Sequence, residues 1–328
     1  MPTTNELSPK TLQEAILHFS DEQNCIDAVA KMRWPDGVTC PACGHKKHYY
    51  LKTKRRWKCA ECWRQFSAKL GTIFEKSPIP LNKWLLAMWL VTSCKNGVSS
   101  WEIHRAIGVT QKTAWFMMHR IRLSMQDGSI VKLGGEGKEV EADETFIGGK
   151  ARNMHMDVRK RRITGRGISG KQVVWGVLER GGDVRCEVIV DTMKPRIHRL
   201  VKKHVAAETA LYTDALGSYR GLDAEYAHKV VDHAVAYVDG RVSTNGLENF
   251  WSLLKRSISG TYVSVEPFHL FRYLGEQSFR FNNRSRREKP IHDGERFSKA
   301  LAQIAGKRVT YKELTGKEHL PVVAAEPF

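Results

Sequence analysis

The order of strand and helix patterns in the second half of the chain places the strongest constraint on its fold. Apolar residues that alternate with polar ones predict strands, and apolar residues spaced three and four apart predict helices. From Lys138 onward the predicted order is three strands, a helix, two strands and two helices, at 139–147, 172–180, 184–190, 197–207, 210–214, 229–231, 243–257 and 268–282. This order predicts an α/β domain in which a mixed sheet is flanked by helices.

Three acidic residues lie at informative positions within this pattern. Asp143 falls in the first strand, Asp214 ends the fourth strand, and Glu248 lies in the helix that follows the fifth. An RNase H-like core presents carboxylates to two divalent metal ions in this order of strand, strand end and helix. The sequence therefore predicts an RNase H-like sheet and an enzyme that cuts or joins phosphodiesters.

The repeat of side-chain directions along a strand or a helix predicts which residues share a face with these carboxylates. Alternation on the first strand puts Glu141 on the face of Asp143 and puts Glu144 on the opposite face. A rotation of about 100° per residue gives the helix one polar stripe, which consists of Asn245, Glu248, Ser252 and Lys255. The polar stripe can thus face a metal site while the other side of the helix packs on the sheet.

Clustered carboxylates repel one another unless cations neutralise them. Mg²⁺ (or Mn²⁺) does this and prefers oxygen ligands, so we expect two such ions per active site. Lys255 lies seven residues after Glu248 and is a candidate for contact with a phosphate or the transition state. Arg256, the next residue, is a candidate DNA contact.

Two Cys-x-x-Cys pairs lie in the first quarter of the chain. Cys40 and Cys43 are separated from Cys59 and Cys62 by fifteen residues. Four thiolates at this spacing are typical of a tetrahedral zinc site, and the intervening residues suit short strands. The sequence therefore predicts a zinc ribbon that holds one structural Zn²⁺.

Helical patterns occupy both sides of this ribbon. Residues 1–38 predict two helices, and residues 80–127 predict three. In the second group a short helix, a glycine turn and a longer basic helix make a helix-turn-helix pattern. Its candidate DNA contacts are Gln111, Lys112 and Arg120. The alternative is a plain three-helix bundle that does not read DNA.

The charge of the chain points to a polyanionic partner. Its 328 residues include 53 Lys and Arg against 35 Asp and Glu, a formal net charge of +18, which favours nucleic acid. Residues 150–171 alone hold eight basic residues and one acidic residue. We interpret this segment as a loop that grips DNA phosphates, with Arg159, Lys160, Arg161 and Arg162 as contacts, although a solvated hairpin tip accounts for the same residues.

Neither a secretory signal nor a membrane span is predicted. The first twenty residues lack an apolar signal core, and the longest apolar run, 84–91, is far shorter than the roughly 20 residues that a helical span needs. We therefore expect a cytoplasmic, nucleoid-associated protein whose cysteines do not form disulfides.

Several motifs resemble those of insertion-sequence transposases of the ISXO-like DDE type. The segment Glu141–Lys150 resembles the first-Asp motif of that family, and Ser243–Arg256, followed by Gly260-Thr-Tyr262, resembles its Glu motif. The segment Phe279–Asn282 resembles part of the family's closing helix, and the zinc ribbon belongs to the same architecture. The resemblance extends over about residues 15–315.

This resemblance implies a transposase that binds double-stranded DNA at the terminal inverted repeats of its element. Such an enzyme cleaves the element ends and joins the exposed 3′-hydroxyls to target DNA. Asp143, Asp214 and Glu248 match the catalytic, metal-binding positions of the family, and Asn245 and Lys255 match flanking positions. Synapsis of two ends implies a homo-oligomer.

Two other functions fit part of the pattern. A sequence-specific DNA-binding regulator whose core has lost catalysis would bind DNA without metal-dependent cleavage. A structure-selective RNase H-like nuclease would prefer branched DNA to any particular sequence. The complete set of three carboxylates favours catalysis, and the ribbon with the helix-turn-helix favours sequence recognition.

The predicted domain organisation follows from these patterns. We expect N-terminal helices, a zinc ribbon, a helix-turn-helix-like segment, a catalytic domain and a C-terminal tail, over residues 1–38, 39–75, 80–130, 136–285 and 286–328. One position departs from the resemblance, since Ser243 stands where many relatives have His.

Overall fold

The chain forms two compact units, one of residues 1–126 with 285–328 and one of residues 127–284. The computed structural model describes residues 9–126, 128, 131–148, 155–157, 160, 170–231 and 242–316.

The first unit begins with helices on either side of a small antiparallel sheet. The helices are α1 (Leu12–His18), α2 (Glu22–Arg33), α3 (Leu81–Ser93), α4 (Ser100–Ile107) and α5 (Gln111–Ser124). The sheet has the strand order β1-β2-β3, with β1 at His48–Leu51, β2 at Arg56–Cys59 and β3 at Gln65–Phe66. The three helices predicted over 80–127 and the short strands predicted between the cysteine pairs are confirmed.

Local capping signals determine where α4 begins and ends. The Ser99 hydroxyl accepts from the Glu102 N–H, and the Glu102 carboxylate accepts from the Ser99 N–H, which satisfies two N–H groups that the helix leaves unpaired. The helix ends at Gly108, whose φ of +62° is the left-handed conformation that glycine adopts without a Cβ penalty.

A five-stranded mixed sheet forms the centre of the second unit. Its strands are β4 (Glu139–Ile147), β5 (Gln172–Glu179), β6 (Val184–Ile189), β7 (Ala210–Asp214) and β8 (Ala227–Val231). The order across the sheet is β6-β5-β4-β7-β8. Strands β4, β5 and β6 pair antiparallel, whereas β7 is parallel to both β4 and β8.

Helices cover both faces of this sheet. They are α6 (Lys194–His204), α7 (Asn245–Arg256) and α8 (Leu270–Asn282), and a π-helical turn at Ser257–Tyr262 continues α7. Trp175 packs in one core with residues of α6, and its neighbour Val174 packs in a second core with residues of α7 and α8. Strand β5, which lies between β6 and β4, is buried on both faces and therefore has a nearly continuous apolar sequence. The predicted RNase H-like α/β class is confirmed.

The segment after the second unit differs from the tail expected over 286–328. Helix α9 (Asp293–Ala302) and the short α10 (Tyr311–Leu314) belong to the first unit, and Phe297 of α9 is buried there. Backbone hydrogen bonds from Ile73 to Ile304 and from Gly306 to Gly71 join this segment to the loop before α3. The segment has enough apolar side chains to complete the hydrophobic core of the first unit. Residues 317–328 lie outside the described part of the chain.

In the residues that the structure describes, no helix is both long and apolar enough to cross a membrane.

Candidate functional site

The register of two parallel strands brings Asp143 close to Asp214. Strand β4 pairs with β7 only from Glu139 to Glu141, where Glu141 lies opposite Tyr212. Two residues further along each strand are Asp143 and Asp214, at the point where β7 ends. The carboxylates therefore meet at the carboxyl end of β7, beyond the last paired residues.

A third carboxylate joins this pair, which the strand alternation did not predict. One ligand oxygen each from Asp143, Glu144 and Asp214 lies within 4.8 Å of the others. Glu144 does point to the opposite face, where its Oε2 accepts from the buried Tyr219 hydroxyl at 2.9 Å. Strand β7 ends at Asp214, so no paired strand separates the two sides of β4 beyond this point. Side chains from both faces of β4 therefore reach the same end of the sheet. Glu144 therefore has to be added to the site.

Two glycines allow α7 to lie directly on the sheet beside Asp143. A Cβ at Gly176 would lie 2.6 Å from the Trp251 ring, and a Cβ at Gly246 would lie 2.5 Å from Leu178. Both distances are shorter than side-chain packing permits. The close approach lets the Trp251 indole N–H donate to Asp143 Oδ2 at 2.9 Å. Trp251 thus fixes the orientation of the Asp143 carboxylate.

Helix α7 carries the remaining predicted site residues on its exposed side. Glu248, Asn245, Lys255 and Arg256 are exposed, whereas Leu247, Phe250, Trp251 and Leu254 are buried as the helical period predicted. The 4.8 Å carboxylate group does not include Glu248, but the charge of Glu248 acts on Asp143.

A buried ion pair holds the first turn of α7 against β4. Glu141 is 2% exposed and accepts from the Leu247 backbone N–H at 3.0 Å and from Arg180 Nε at 2.9 Å. Arg180 also donates to the carbonyl and hydroxyl oxygens of Ser243 at 2.8 and 2.9 Å, and to Glu139 at 3.2 Å. Ser243 therefore helps to position α7.

Replacing Arg180 by methionine is expected to lower the free energy of unfolding of the second unit by about 2–4 kcal/mol, because Glu141 keeps its buried charge without its partner. The matched control is Lys138→Met, which removes the 3.0 Å ion pair between Glu179 and the exposed lysine that directly precedes β4. That change should cost less than about 1 kcal/mol. Denaturant unfolding of both variants compares them, and equal losses would contradict the positioning role of Arg180.

Burial and mutual repulsion shift the protonation of the carboxylates. Burial, followed by the negative charge of Asp214, raises the pKa of Asp143 to about 6, and Glu248 adds a smaller contribution. The same two causes raise the pKa of Glu144 to about 8. Burial and the neighbouring Glu144 also raise the pKa of Tyr219, so its hydroxyl keeps its proton and donates. The site thus holds more negative charge than its own contacts neutralise.

The metal-free protein is expected to lose stability as the pH rises from about 4 to about 8, because the raised carboxyl pKa values make the folded state bind more protons than the unfolded state there. Mg²⁺ neutralises the ionised carboxylates, so adding it should raise the thermal midpoint more at about pH 8 than at about pH 5.5. Calorimetry with and without Mg²⁺ measures this, with NaCl of equal ionic strength as control. Equal Mg²⁺ effects at both pH values would argue against a metal site here.

The donor set fits a hard divalent cation. In the described part of the chain, the recorded hydrogen-bond donors to the three carboxylates are neutral: the Trp251 indole, the Tyr219 hydroxyl and the backbone N–H groups of Glu144 and Leu216. Carboxylate oxygens whose hydrogen-bond donors here are all neutral suit Mg²⁺ or Mn²⁺.

The four cysteines of the ribbon form a second candidate metal centre. The Sγ atoms of Cys40, Cys43, Cys59 and Cys62 lie within 4.8 Å of one another, and the pairs Cys40–Cys62 and Cys43–Cys59 are each separated by 3.6 Å. Tetrahedral Zn²⁺ with Zn–S bonds of about 2.3 Å requires S···S distances of roughly 3.8 Å. The cluster therefore fits a structural zinc ion.

The predicted DNA contacts on α5 are only partly compatible with the structure. Lys112 is exposed at the start of the helix, with its ammonium over the Tyr311 ring, and the Gln111 amide donates to Ser100. Arg120 is 4% exposed and donates to the carbonyl oxygens of Val309 and Glu75. The expectation that Arg120 contacts DNA is therefore wrong, because its guanidinium joins elements within the first unit.

The structure describes little of the basic segment between β4 and β5. Lys160 is exposed, whereas Arg159, Arg161 and Arg162 lie outside the described residues.

Comparisons with known proteins place both centres in named domains. Residues 132–282 match the ISXO2-like transposase domain, and residues 20–65 match the transposase zinc-ribbon domain. A protein of Halobacterium salinarum, described as an uncharacterized protein in transposable element ISH50, is 29% identical over 254 residues. The alignment covers 74% of this chain and 84% of that relative. The first domain match includes all the carboxylates of the site, and the second includes the four cysteines.

Proposed function

Because this chain belongs to the zinc-ribbon transposases with an ISXO2-like DDE domain, we propose that it binds the terminal inverted repeats of an insertion sequence and catalyses metal-dependent DNA cleavage and strand transfer. The observation that carries this proposal is the convergence of Asp143 and Asp214 at the end of β7, beside the helix that bears Glu248. Carboxylates in this order on an RNase H-like sheet suit two-metal phosphoryl transfer.

Each acidic residue has a distinct part in the proposed site. Asp143 and Asp214 would together hold one Mg²⁺ or Mn²⁺, and Glu248 would complete a second site from α7. Glu144, held by Tyr219, supplies a further oxygen on the other side of β4. When bound, the ions make a water or a 3′-hydroxyl a better nucleophile and stabilise the charge on the leaving oxygen.

The other residues of α7 position the DNA strand. Trp251 keeps one oxygen of Asp143 in place through its indole N–H, so the carboxylate does not have to be oriented when DNA arrives. Lys255 and Arg256, exposed in the last turn of α7, contact the phosphates that flank the scissile bond. Asn245, exposed in the first turn, contacts the same strand at the other end of the helix.

The first unit binds the element ends. The zinc ribbon and the start of α5, with the half-buried Gln111 and the exposed Lys112, contact duplex DNA. Lys160 and its basic neighbours in the segment between β4 and β5 add contacts to phosphates. Two copies of the chain bring the two ends together, so the active form is a homo-oligomer.

The direct test incubates purified zinc-loaded protein with linear duplexes that carry the inverted repeats bracketing its gene, in the presence of Mg²⁺. The proposal predicts nicks at the element ends and products joined to a target plasmid. Specific binding without cleavage in Mg²⁺ or Mn²⁺ would favour the inactive regulator. Cleavage of branched DNA of any sequence, with intact duplex ends, would favour the structure-selective nuclease.

A further inference from the structure

The two knuckles of the zinc ribbon share one backbone shape but differ in the residue at its turn. In each knuckle the N–H of the first cysteine donates to the carbonyl five residues on, from Cys40 to His45 and from Cys59 to Arg64. The residue after the second cysteine has a left-handed backbone in both cases, with φ of +73° at Gly44 and +59° at Trp63. One knuckle therefore has the glycine that this conformation favours, and the other has a tryptophan.

Packing within the ribbon does not account for a tryptophan at this turn. A left-handed backbone is unfavourable for residues with a large side chain, and they keep it only where something else requires them. The Trp63 side chain is 62% exposed, so it contributes little to the core. The buried aromatic residues of the ribbon are instead Trp57 and Phe66, whose rings stack with their centroids 6.0 Å apart.

Trp63 belongs to an exposed row of aromatic and cationic side chains. The Lys58 ammonium lies 4.6 Å from the Trp63 ring centroid. Lys58 is directly opposite Tyr49 on β1 and Gln65 on β3, so these three side chains share one face of the small sheet. Tyr49 is 51% exposed. Lys58 thus has two exposed aromatic neighbours, Tyr49 across the strand pair and Trp63 beneath its ammonium.

The charge around this row is complementary to a polyanion. Residues 40–66 contain eight Lys and Arg and one Glu. Arg56 and Arg64, next to the row in sequence, are exposed. Aromatic rings flanked by cations are the combination with which proteins bind single-stranded nucleic acid, because the rings stack on bases and the cations pair with phosphates.

We propose that Trp63, with Lys58 and Tyr49, forms a stacking surface for unpaired bases of single-stranded DNA. Lys58 lies over the Trp63 ring, and the exposed part of the ring accepts a base. This inference rests on the proposed function, since DNA ends that are nicked and opened for strand transfer supply such bases. It assigns the ribbon a contact with single-stranded DNA, in addition to its structural zinc and its proposed contact with duplex DNA.

The test compares zinc-loaded full-length protein with Trp63→Gly, Trp63→Asn and Trp63→Phe. The probes are a fluorescent mixed-sequence single strand and a blunt duplex of equal length, at one fixed salt concentration. Both ring-deleting variants should bind the single strand roughly tenfold more weakly, as loss of one stacked base implies, and should bind the duplex within about twofold of wild type. Trp63→Phe should retain most of the single-strand affinity.

The thermal midpoint and the zinc content distinguish the stacking role of Trp63 from a structural role. Glycine and asparagine both tolerate the left-handed backbone, so the stacking role predicts an unchanged or higher thermal midpoint and unchanged zinc content. A lower midpoint with equal loss of single-strand and duplex binding, or single-strand binding equal to wild type, would overturn the proposal. Cleavage of element ends is scored separately, so failure of the catalytic proposal would leave this comparison interpretable.

Discussion

Replacing Asp143 by asparagine is expected to reduce Mg²⁺-dependent cleavage and strand transfer by about 10³-fold or more, because a metal-holding site loses a charged oxygen. Affinity for duplex DNA should stay within about twofold, since the phosphate contacts lie on other residues. Asparagine has almost the same shape as aspartate, and its side-chain oxygen can still accept from Trp251. Cleavage of labelled element ends and a gel-shift measurement record the two effects.

The same variant makes a stability prediction that a damaged fold would not satisfy. Burial and Asp214 raise the pKa of Asp143 to about 6, so at higher pH its negative charge opposes folding of the metal-free protein. Asp143→Asn should therefore equal or exceed the wild type in thermal midpoint at about pH 8 without metal. The matched control is Asp191→Asn. It removes a carboxylate that lies two residues after β6 and pairs with Arg196 at 3.1 Å. The control should keep its activity; full activity of Asp143→Asn would exclude Asp143 from the chemistry.

Replacing Cys43 by serine is expected to lower the zinc content from about one ion per chain to almost none and to unfold the ribbon. Structural zinc contributes about 10–16 kcal/mol of binding free energy in zinc-finger peptides, far more than a sheet of three short strands supplies. Residues 40–66 should then become sensitive to protease, and binding to the element ends should fall. Metal analysis and limited proteolysis measure these changes.

The control for this prediction is Cys94→Ser. Cys94 lies outside the four-cysteine cluster, at the end of α3, and should leave the zinc content unchanged. A chelator should reproduce the effect of Cys43→Ser in the wild-type protein, and added Zn²⁺ should reverse it. A ribbon that remains protease-resistant without zinc would show that its aromatic core suffices.

Local signals made much of the fold predictable from the sequence. The capping residues of α4, the glycine that ends it and the alternation along β4 depend on neighbours only a few residues away. The grouping of four cysteines into one metal site follows from their spacing in the same way. These features act within one element, so a single sequence contains all the information that specifies them.

Contacts between distant segments could not be predicted in this way. Glu144 joins Asp143 only because β7 ends at Asp214, which is a property of the assembled sheet. The sequence pattern predicts a DNA contact at Arg120. Its guanidinium is instead buried and donates to the Val309 carbonyl, in the segment after α9. Glu141 looked like a companion of the site, but its partners are Arg180 and the backbone of α7.

The most direct test of the central claim is to locate Mn²⁺ by anomalous scattering in crystals of the full-length protein. The account predicts a peak at roughly 2.0–2.3 Å from oxygens of both Asp143 and Asp214, with a second peak that Glu248 reaches from α7. No manganese at this end of β7, at Mn²⁺ concentrations that support cleavage in solution, would contradict the account.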